Sequence, residues 1–306
     1  MATTTTPVFR FAPSPNGLLH LGHAYSALVN QQLCDRMGGA YLLRLEDIDQ
    51  SRCTPELEWQ MLEDLKWLGI GWQGEPRRQS QHFDDYQRAL DRLRSDGLIY
   101  PSFMSRGEIR RSVAEKSGSG TPWPRDPDGS PHYPGDERNW SVDQQEAMIA
   151  ERPKHAWRLD TTAALQRVTN SLSWQEFQAD DPSVCKIIQA RPDLWGDVVL
   201  ARSDTPTSYH LAVTVDDALQ NVSHVVRGRD LYHATSVHRL LQELLDLPEP
   251  QYHHHDLVVE SGGGDGDGDD GDGRKLSKSD GDVSLKALRE RGLAAEDLPS
   301  LFRFSS

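Results

Sequence analysis

Apolar positions along this chain fall into short runs of two kinds. Residues 8–12 and 40–45 are brief, nearly continuous apolar stretches, the signature of strands buried inside a parallel sheet. Between them, residues 24–37 carry helix formers with Ala27, Leu28, Leu33 and Met37 at helical spacing, and Gly38-Gly39 closes the segment. Strand, helix, strand predicts a crossover unit whose ligand crevice lies at the C-terminal ends of the strands. A helix is predicted over 56–68, with Thr54 as its cap and Pro55 at its first position, followed by a turn at Gly69-Ile70-Gly71-Trp72. Another runs from Ser80 or Gln81 through Leu93 and ends at Asp96-Gly97.

The pattern then changes. Residues 98–104 read as a strand entering an insertion, and 117–135, rich in Gly, Pro, Ser and Asp, as an irregular loop. Residues 144–150 predict a helix, while 155–159 and the stretch after Thr161 predict short strands. Beyond them come a strand over 196–203, an apolar segment over 209–215 and a helix opened by Asp216-Asp217 and running to about Gln220. A buried strand over 222–226, a helix over 234–245 and a last helix over 284–291 complete the reading. The fold class that follows is α/β: a Rossmann-like nucleotide-binding fold with a parallel sheet, interrupted by an inserted α+β domain. Its halves are placed at 1–97 and 191–260, the insertion at 98–190, and a C-terminal piece at 261–306.

Length and composition narrow the classes. The 306 residues suffice for a sizeable core and leave room for two domains. No apolar run is long enough to span a bilayer as a helix, and the first residues lack a basic-then-apolar signal, so a cytoplasmic protein is expected. Cys34, Cys53 and Cys185 form no disulfide framework. The net charge of −14 argues at face value against nucleic acid. Five of those charges, however, sit in the Gly/Asp run at 262–273, a segment too polar and self-repelling to pack. The placement of the basic residues decides more than the sum.

Candidate chemistry gathers in two places. In the run from Arg10 to His23, Pro13 and Pro15 hold the chain extended, Gly17 permits a tight turn, and a helix opens near His20. A helix start presents unpaired N–H groups and a positive dipole end, a seat for phosphate. His20 and His23, three positions apart, project from one face of that turn, and Gly22 leaves room beside them. Far downstream stands Lys275-Leu276-Ser277-Lys278-Ser279, two lysines in a Gly-bounded stretch able to reach over a triphosphate.

Together these two strings resemble the paired signatures of class I aminoacyl-tRNA synthetases. The run from Phe11 to His23 is closest to the glutamyl branch, and the resemblance continues through Arg44 to Asp49, Tyr209 to Ala212 and Val226 to Leu231. It implies ATP and L-glutamate as substrates, with Mg²⁺ accompanying the ATP. It assigns His20, Gly22, His23, Lys275 and Lys278 to ATP, with His20, His23 and Lys278 catalytic. It assigns Arg10, Phe11, Ala12, Pro13, Ser14, Glu46, Tyr209 and Arg227 to glutamate: arginines for carboxylates, Glu46 for the ammonium, Tyr209 as a wall. Arg44 with Asp47, and Arg229 with Asp230, are expected as internal ion pairs.

The family's insertion contacts the acceptor end of tRNA and in many members holds zinc. Those members use a C-x-C pair and then a Tyr and a Cys; here Ser102 and Met104 stand at the pair, then Tyr133 with Asp136 and Glu137 nearby, so the thiolates are gone, no zinc is expected and the metal-ligand set is empty. Packing around Phe103, Trp123 and Tyr133 is expected instead. After Ser279 the chain runs only to Ser306, too short for a helical anticodon-binding region. That implies the shortened group of the branch, which activates glutamate without tRNA and attaches it to the queuosine base in the anticodon loop of tRNA(Asp), as a monomer. A truncated enzyme charging tRNA(Glu), a nucleotidyltransferase with a small acceptor and a silent binding protein stay open as alternatives.

Overall fold

A computed structural model describes residues 6–117, 121–258 and 284–304. Strand β1 (Val8–Phe11) leads through the proline turn into helix α1 (Leu21–Arg36) and strand β2 (Ala40–Leu45). Gly38 at φ +61° makes the left-handed turn that ends α1. Helix α2 (Pro55–Trp67), capped by Thr54 through the Leu57 N–H, is followed by strand β3 (Arg77–Arg78) and helix α3 (Phe83–Ser95). Next come strand β4 (Ile99–Ser102), helices α4 (Arg106–Ser117) and α5 (Val142–Glu151), strand β5 (Ala156–Leu159) and helix α6 (Thr161–Arg167). The chain continues through strands β6 (Ser173–Phe177), β7 (Cys185–Gln189) and β8 (Val199–Arg202), helix α7 (Tyr209–Leu219) and strand β9 (His224–Gly228). Helix α8 (Thr235–Leu244), strand β10 (Gln251–His255) and helix α9 (Leu285–Glu290) end the described chain.

Among the described residues, the main sheet has the order β3-β2-β1-β9-β10-β6-β7. It is parallel from β3 to β6, with β7 returning antiparallel along the edge. The strand order reverses between β1 and β9, where the two halves of the chain meet, and a ligand crevice opens at such a switch point. Strands β4, β5 and β8 form a separate antiparallel sheet.

Several expectations differ from this picture. The two sheets do not divide at residue 190: β6 and β7, within 98–190, join the parallel sheet, while β8, beyond 191, joins the small one. The stretch after Thr161 is helix, opened by Asp160, whose carboxylate accepts the Ala163 N–H at 3.0 Å. The apolar segment 209–215 is likewise the body of a helix, capped by Ser208. It is buried on every side from Leu211 to Asp217, which erases the amphipathic stripe that marks a surface helix. Asp216 and Asp217 are therefore buried near the helix end and do not open it. Helix α4 occupies residues to which no element was assigned.

In the insertion, Ser102, Tyr133 and Glu137 are tied together through Arg158. Ser102 Oγ accepts from Arg158 Nε at 3.1 Å, and the Arg158 guanidinium lies 4.1 Å over the Tyr133 ring. The Tyr133 hydroxyl donates to Glu137 Oε1 at 2.6 Å. Phe103 stacks on Trp140, and Lys116 lies over Trp123.

Candidate functional site

The helix mouth is built by histidine. His20 is extended at the α1 N-cap, and its Nδ1 accepts the Gly22 N–H at 3.1 Å. His23 Nδ1 accepts the His20 N–H at 3.2 Å, so the two rings form a reciprocal capping box, 3.9 Å apart between centroids. Because both Nδ1 atoms accept, both Nε2 atoms carry the proton. The mouth thus combines a helix N-terminus with two imidazole N–H donors, a set matched to phosphate oxygens.

Beside it lies a cavity of about 300 Å³. Its walls include Arg10, Phe11, Ala12, Pro13 and Ser14 from the end of β1 and the turn after it, with His20, Gly22 and His23 from the helix mouth. Glu46 follows β2, Tyr209 starts α7, and Arg227 is the last residue but one of β9. Every predicted site residue that is described therefore lines one pocket. Lys275 and Lys278 lie outside the described residues. Of the chain on either side of them, Val258 lines the pocket, and the Leu285 N–H donates at 2.8 Å to the carbonyl of Leu19, the residue before His20.

Charges around the pocket are arranged in two ways. Arg10, 4% exposed, donates to Asp217 Oδ1 at 2.9 Å. Arg44, fully buried, donates to the same carboxylate at 2.7 Å and to Glu46 Oε1 at 3.3 Å. Asp216 in turn accepts from Arg77 at 2.7 Å and from the Tyr86 hydroxyl at 2.8 Å. Burial raises Asp217, but Arg10 and Arg44 outweigh it and hold its carboxyl below the ordinary value. For Glu46 burial wins over the same two arginines, and its carboxyl is raised. Around Arg227 the partners are Tyr209, Thr235, His238 and His254, none of them acidic.

The expected Arg44–Asp47 pair is absent. Asp47 accepts from the Ser80 backbone and hydroxyl, and Arg44 turns to Asp216, Asp217 and Glu46. Arg229 pairs with Asp256 at 3.1 Å, where Asp230 was expected. Sequence reasoning missed the partners Asp217, Thr235, His238 and His254: Asp217 lies 207 positions from Arg10, while the three that hold Arg227 sit on the next helix and strand, outside its motif. The available signal was the run His253-His254-His255 inside an otherwise strand-like stretch.

Chemically, the pocket offers N–H donors to an anion at one end, and a carboxylate and two guanidinium groups to a small zwitterion at the other. Among the described residues, no group of three His, Cys, Asp or Glu side chains is placed to hold a metal ion, and no helix is long and apolar enough to cross a membrane.

Comparison with known proteins gives a consistent result. Residues 8–298 match the family model of tRNA synthetases class I (E and Q), catalytic domain. A Glutamyl-Q tRNA(Asp) synthetase of Rhodobacter capsulatus is 40% identical over 299 residues, spanning 96% of this chain and 99% of the relative. A Glutamate–tRNA ligase of Prochlorococcus marinus is 34% identical across 94% of this chain, which spans 56% of that relative. The crystal structure of a Glutamate-tRNA Synthetase from Elizabethkingia anophelis superposes with a TM-score of 0.68 at 22% identity, covering 94% of this chain and 54% of that one. That likeness speaks to the fold.

Proposed function

The chain belongs to the class I (E and Q) tRNA synthetase family, and from that premise we propose that it activates L-glutamate with ATP and transfers the glutamyl group to the queuosine base in the anticodon loop of tRNA(Asp). The observation that carries the activation step is the shared pocket: a phosphate-binding helix mouth and a buried Arg–Glu–Arg set open into one cavity. The likeness to the Rhodobacter capsulatus protein over nearly that protein's whole length supports the choice of acceptor.

In the proposed reaction a glutamate carboxylate oxygen attacks the α-phosphorus of ATP. The bond to the bridging oxygen breaks and pyrophosphate leaves. Positioning and charge stabilisation carry such a displacement. The Nε2–H groups of His20 and His23 donate to the α- and β-phosphate oxygens, where negative charge grows. Glu46 receives the ammonium, Arg10 and Arg227 the carboxylates, and Tyr209 walls the pocket. Lys278, assisted by Lys275, takes up the charge of the departing pyrophosphate. Mg²⁺ is carried by the phosphates, since it binds readily through phosphate and water oxygens. A queuosine cyclopentenediol oxygen then attacks the activated carbonyl and releases AMP.

The test is transfer of labelled glutamate, with the full chain, to three RNAs in parallel: tRNA(Asp) with queuosine, tRNA(Asp) without it, and tRNA(Glu). The proposal expects label on the first alone. Label on tRNA(Glu) alone replaces it with the glutamate–tRNA ligase reading, and label on none leaves the acceptor step without support.

A further inference from the structure

Arg227 is 5% exposed, and among the described residues it is held without a carboxylate. Its Nε donates to His254 Nε2 at 3.2 Å and one terminal nitrogen to Thr235 Oγ1 at 2.7 Å. The other meets His238 Nδ1 at 3.2 Å and the Tyr209 hydroxyl at 3.4 Å. The guanidinium also lies over the Tyr252 ring at 5.4 Å. Arg10, Arg44 and Arg77, in the same layer, each rest against aspartate. A buried cation without a counter-ion is costly, so the arrangement calls for a reason.

A guanidinium only donates, so each ring nitrogen that faces it must be bare. Behind His254 a carboxylate fixes the same choice; behind His238 stands another ring, and Arg227 itself makes the choice. His254 Nδ1 sits 3.0 Å from Glu176 Oε2 and 3.1 Å from Oε1, so its proton is on Nδ1 and Nε2 is the acceptor. Glu176 is itself set by the His254 N–H at 2.8 Å and by Trp174 Nε1 at 2.9 Å. His238 Nδ1 accepts from Arg227, so the His238 proton is on Nε2 and points to His210 Nδ1 at 3.2 Å. Burial, with Arg227 alongside, pushes His238 well below its ordinary value and His210 down to about 4. His254 is also lowered to about 4 by burial, against the opposing pull of Glu176. All three rings therefore stay neutral.

We propose that Glu176 and His254 are positioning residues for the carboxylate of the amino acid: Glu176 fixes the His254 tautomer, His254 orients Arg227, and the positive charge of Arg227 is left for the substrate. A carboxylate in the place of His254 would hold the guanidinium equally well but cancel its charge. A neutral imidazole orients it and cancels nothing, while Glu176 stands one ring removed. The inference rests on the reading that Arg227 receives a glutamate carboxylate.

The test uses the full chain and glutamate-dependent ATP–pyrophosphate exchange, with Arg227→Lys as reference. His254→Leu removes the acceptor and is expected to raise the KM for glutamate about tenfold or more, with the KM for ATP and kcat within about threefold. His254→Gln, whose amide oxygen falls near the position of Nε2, is expected to return the KM for glutamate to within about threefold of the parent. Glu176→Gln frees His254 to carry its proton on Nε2 and is expected to raise that KM about threefold to tenfold. Glu176 lies at the partly exposed end of the relay, so this variant keeps the proposal testable should His254→Leu not fold. A glutamate KM unchanged in Glu176→Gln, a His254→Gln as impaired as His254→Leu, or parallel rises in both KM values would overturn the proposal while the parent still exchanges. A parent with no glutamate-dependent exchange would instead remove the substrate reading, and this inference with it.

Discussion

Asp217 shows how single residues govern the pocket. One carboxylate serves Arg10 from β1 and Arg44 from β2, so it fixes two strand ends at once. Removing it leaves two buried cations without their main partner, and losing one member of a buried pair typically costs about 3–5 kcal/mol. Asp217→Ala should therefore lower the unfolding free energy in denaturant titration by that order, whereas a loss under about 1 kcal/mol would show that the arginines are held by other groups. At this scale the sequence was legible where side-chain chemistry is local. Arg10, Glu46, Tyr209 and Arg227 stood out because their motifs are short and contiguous. Their partners did not, because a contact across 207 positions leaves no mark on either neighbourhood.

Among the elements, the proposed reaction assigns the phosphate chemistry to the start of α1 and the amino-acid chemistry to the cluster joining α7, α8 and β10. His20→Asn separates capping from catalysis. The asparagine oxygen takes the place of Nδ1 and still accepts the Gly22 N–H, but the Nε2 donor is gone. Turnover in activation should fall about 10²–10³-fold with thermal stability and the KM for glutamate little changed; a fall under threefold would take His20 out of the reaction.

The buried cluster predicts a pH response. His210 and His254 titrate near 4 in the fold, against about 6.5 in the unfolded chain. Between those values the unfolded state binds more protons. The stabilisation is complete above about pH 6.5 and is lost as pH falls toward 4. Groups facing the cluster are Arg227, Glu176, Tyr209, Tyr232, Thr235, His238, Tyr252 and His253. Urea midpoints measured from pH 7.5 to 5 should drop, and drop less in His254→Gln; parallel curves for the two proteins would contradict this origin. Element reading from sequence worked where one face was apolar, as in α2 and α8, or where a cap was strong, as at Thr54. It failed for α7, buried all round, and for α6, where the stretch after Thr161 was read as a strand and the Asp160 cap before it went unused.

For the molecule as a whole, the sequence was legible in the α/β class, and the turn from Pro13 to His20 marks the end of β1 beside the switch point. It did not tell which strands pair. Strand β6 joins β10 in the main sheet and β8 joins β5 in the small one, because pairing is settled by packing between distant segments. The resulting sheet brings the ends of β1, β2 and β9 to one crevice. There the aromatic ring of Tyr25 meets Phe302 and Phe304 of the C-terminal segment, and Val258 bridges to Phe304. The described chain on both sides of the two lysines is thereby joined to itself and to α1.

The account rests on one pocket in which a phosphate-binding helix mouth meets an arginine whose charge is reserved for a substrate carboxylate. The most direct measurement is incorporation of labelled pyrophosphate into ATP by the purified chain, without RNA, in the presence of single amino acids. The account predicts exchange with glutamate, little with glutamine, and its loss in Arg227→Ala. Exchange supported equally by glutamine, or undiminished in Arg227→Ala, would contradict it.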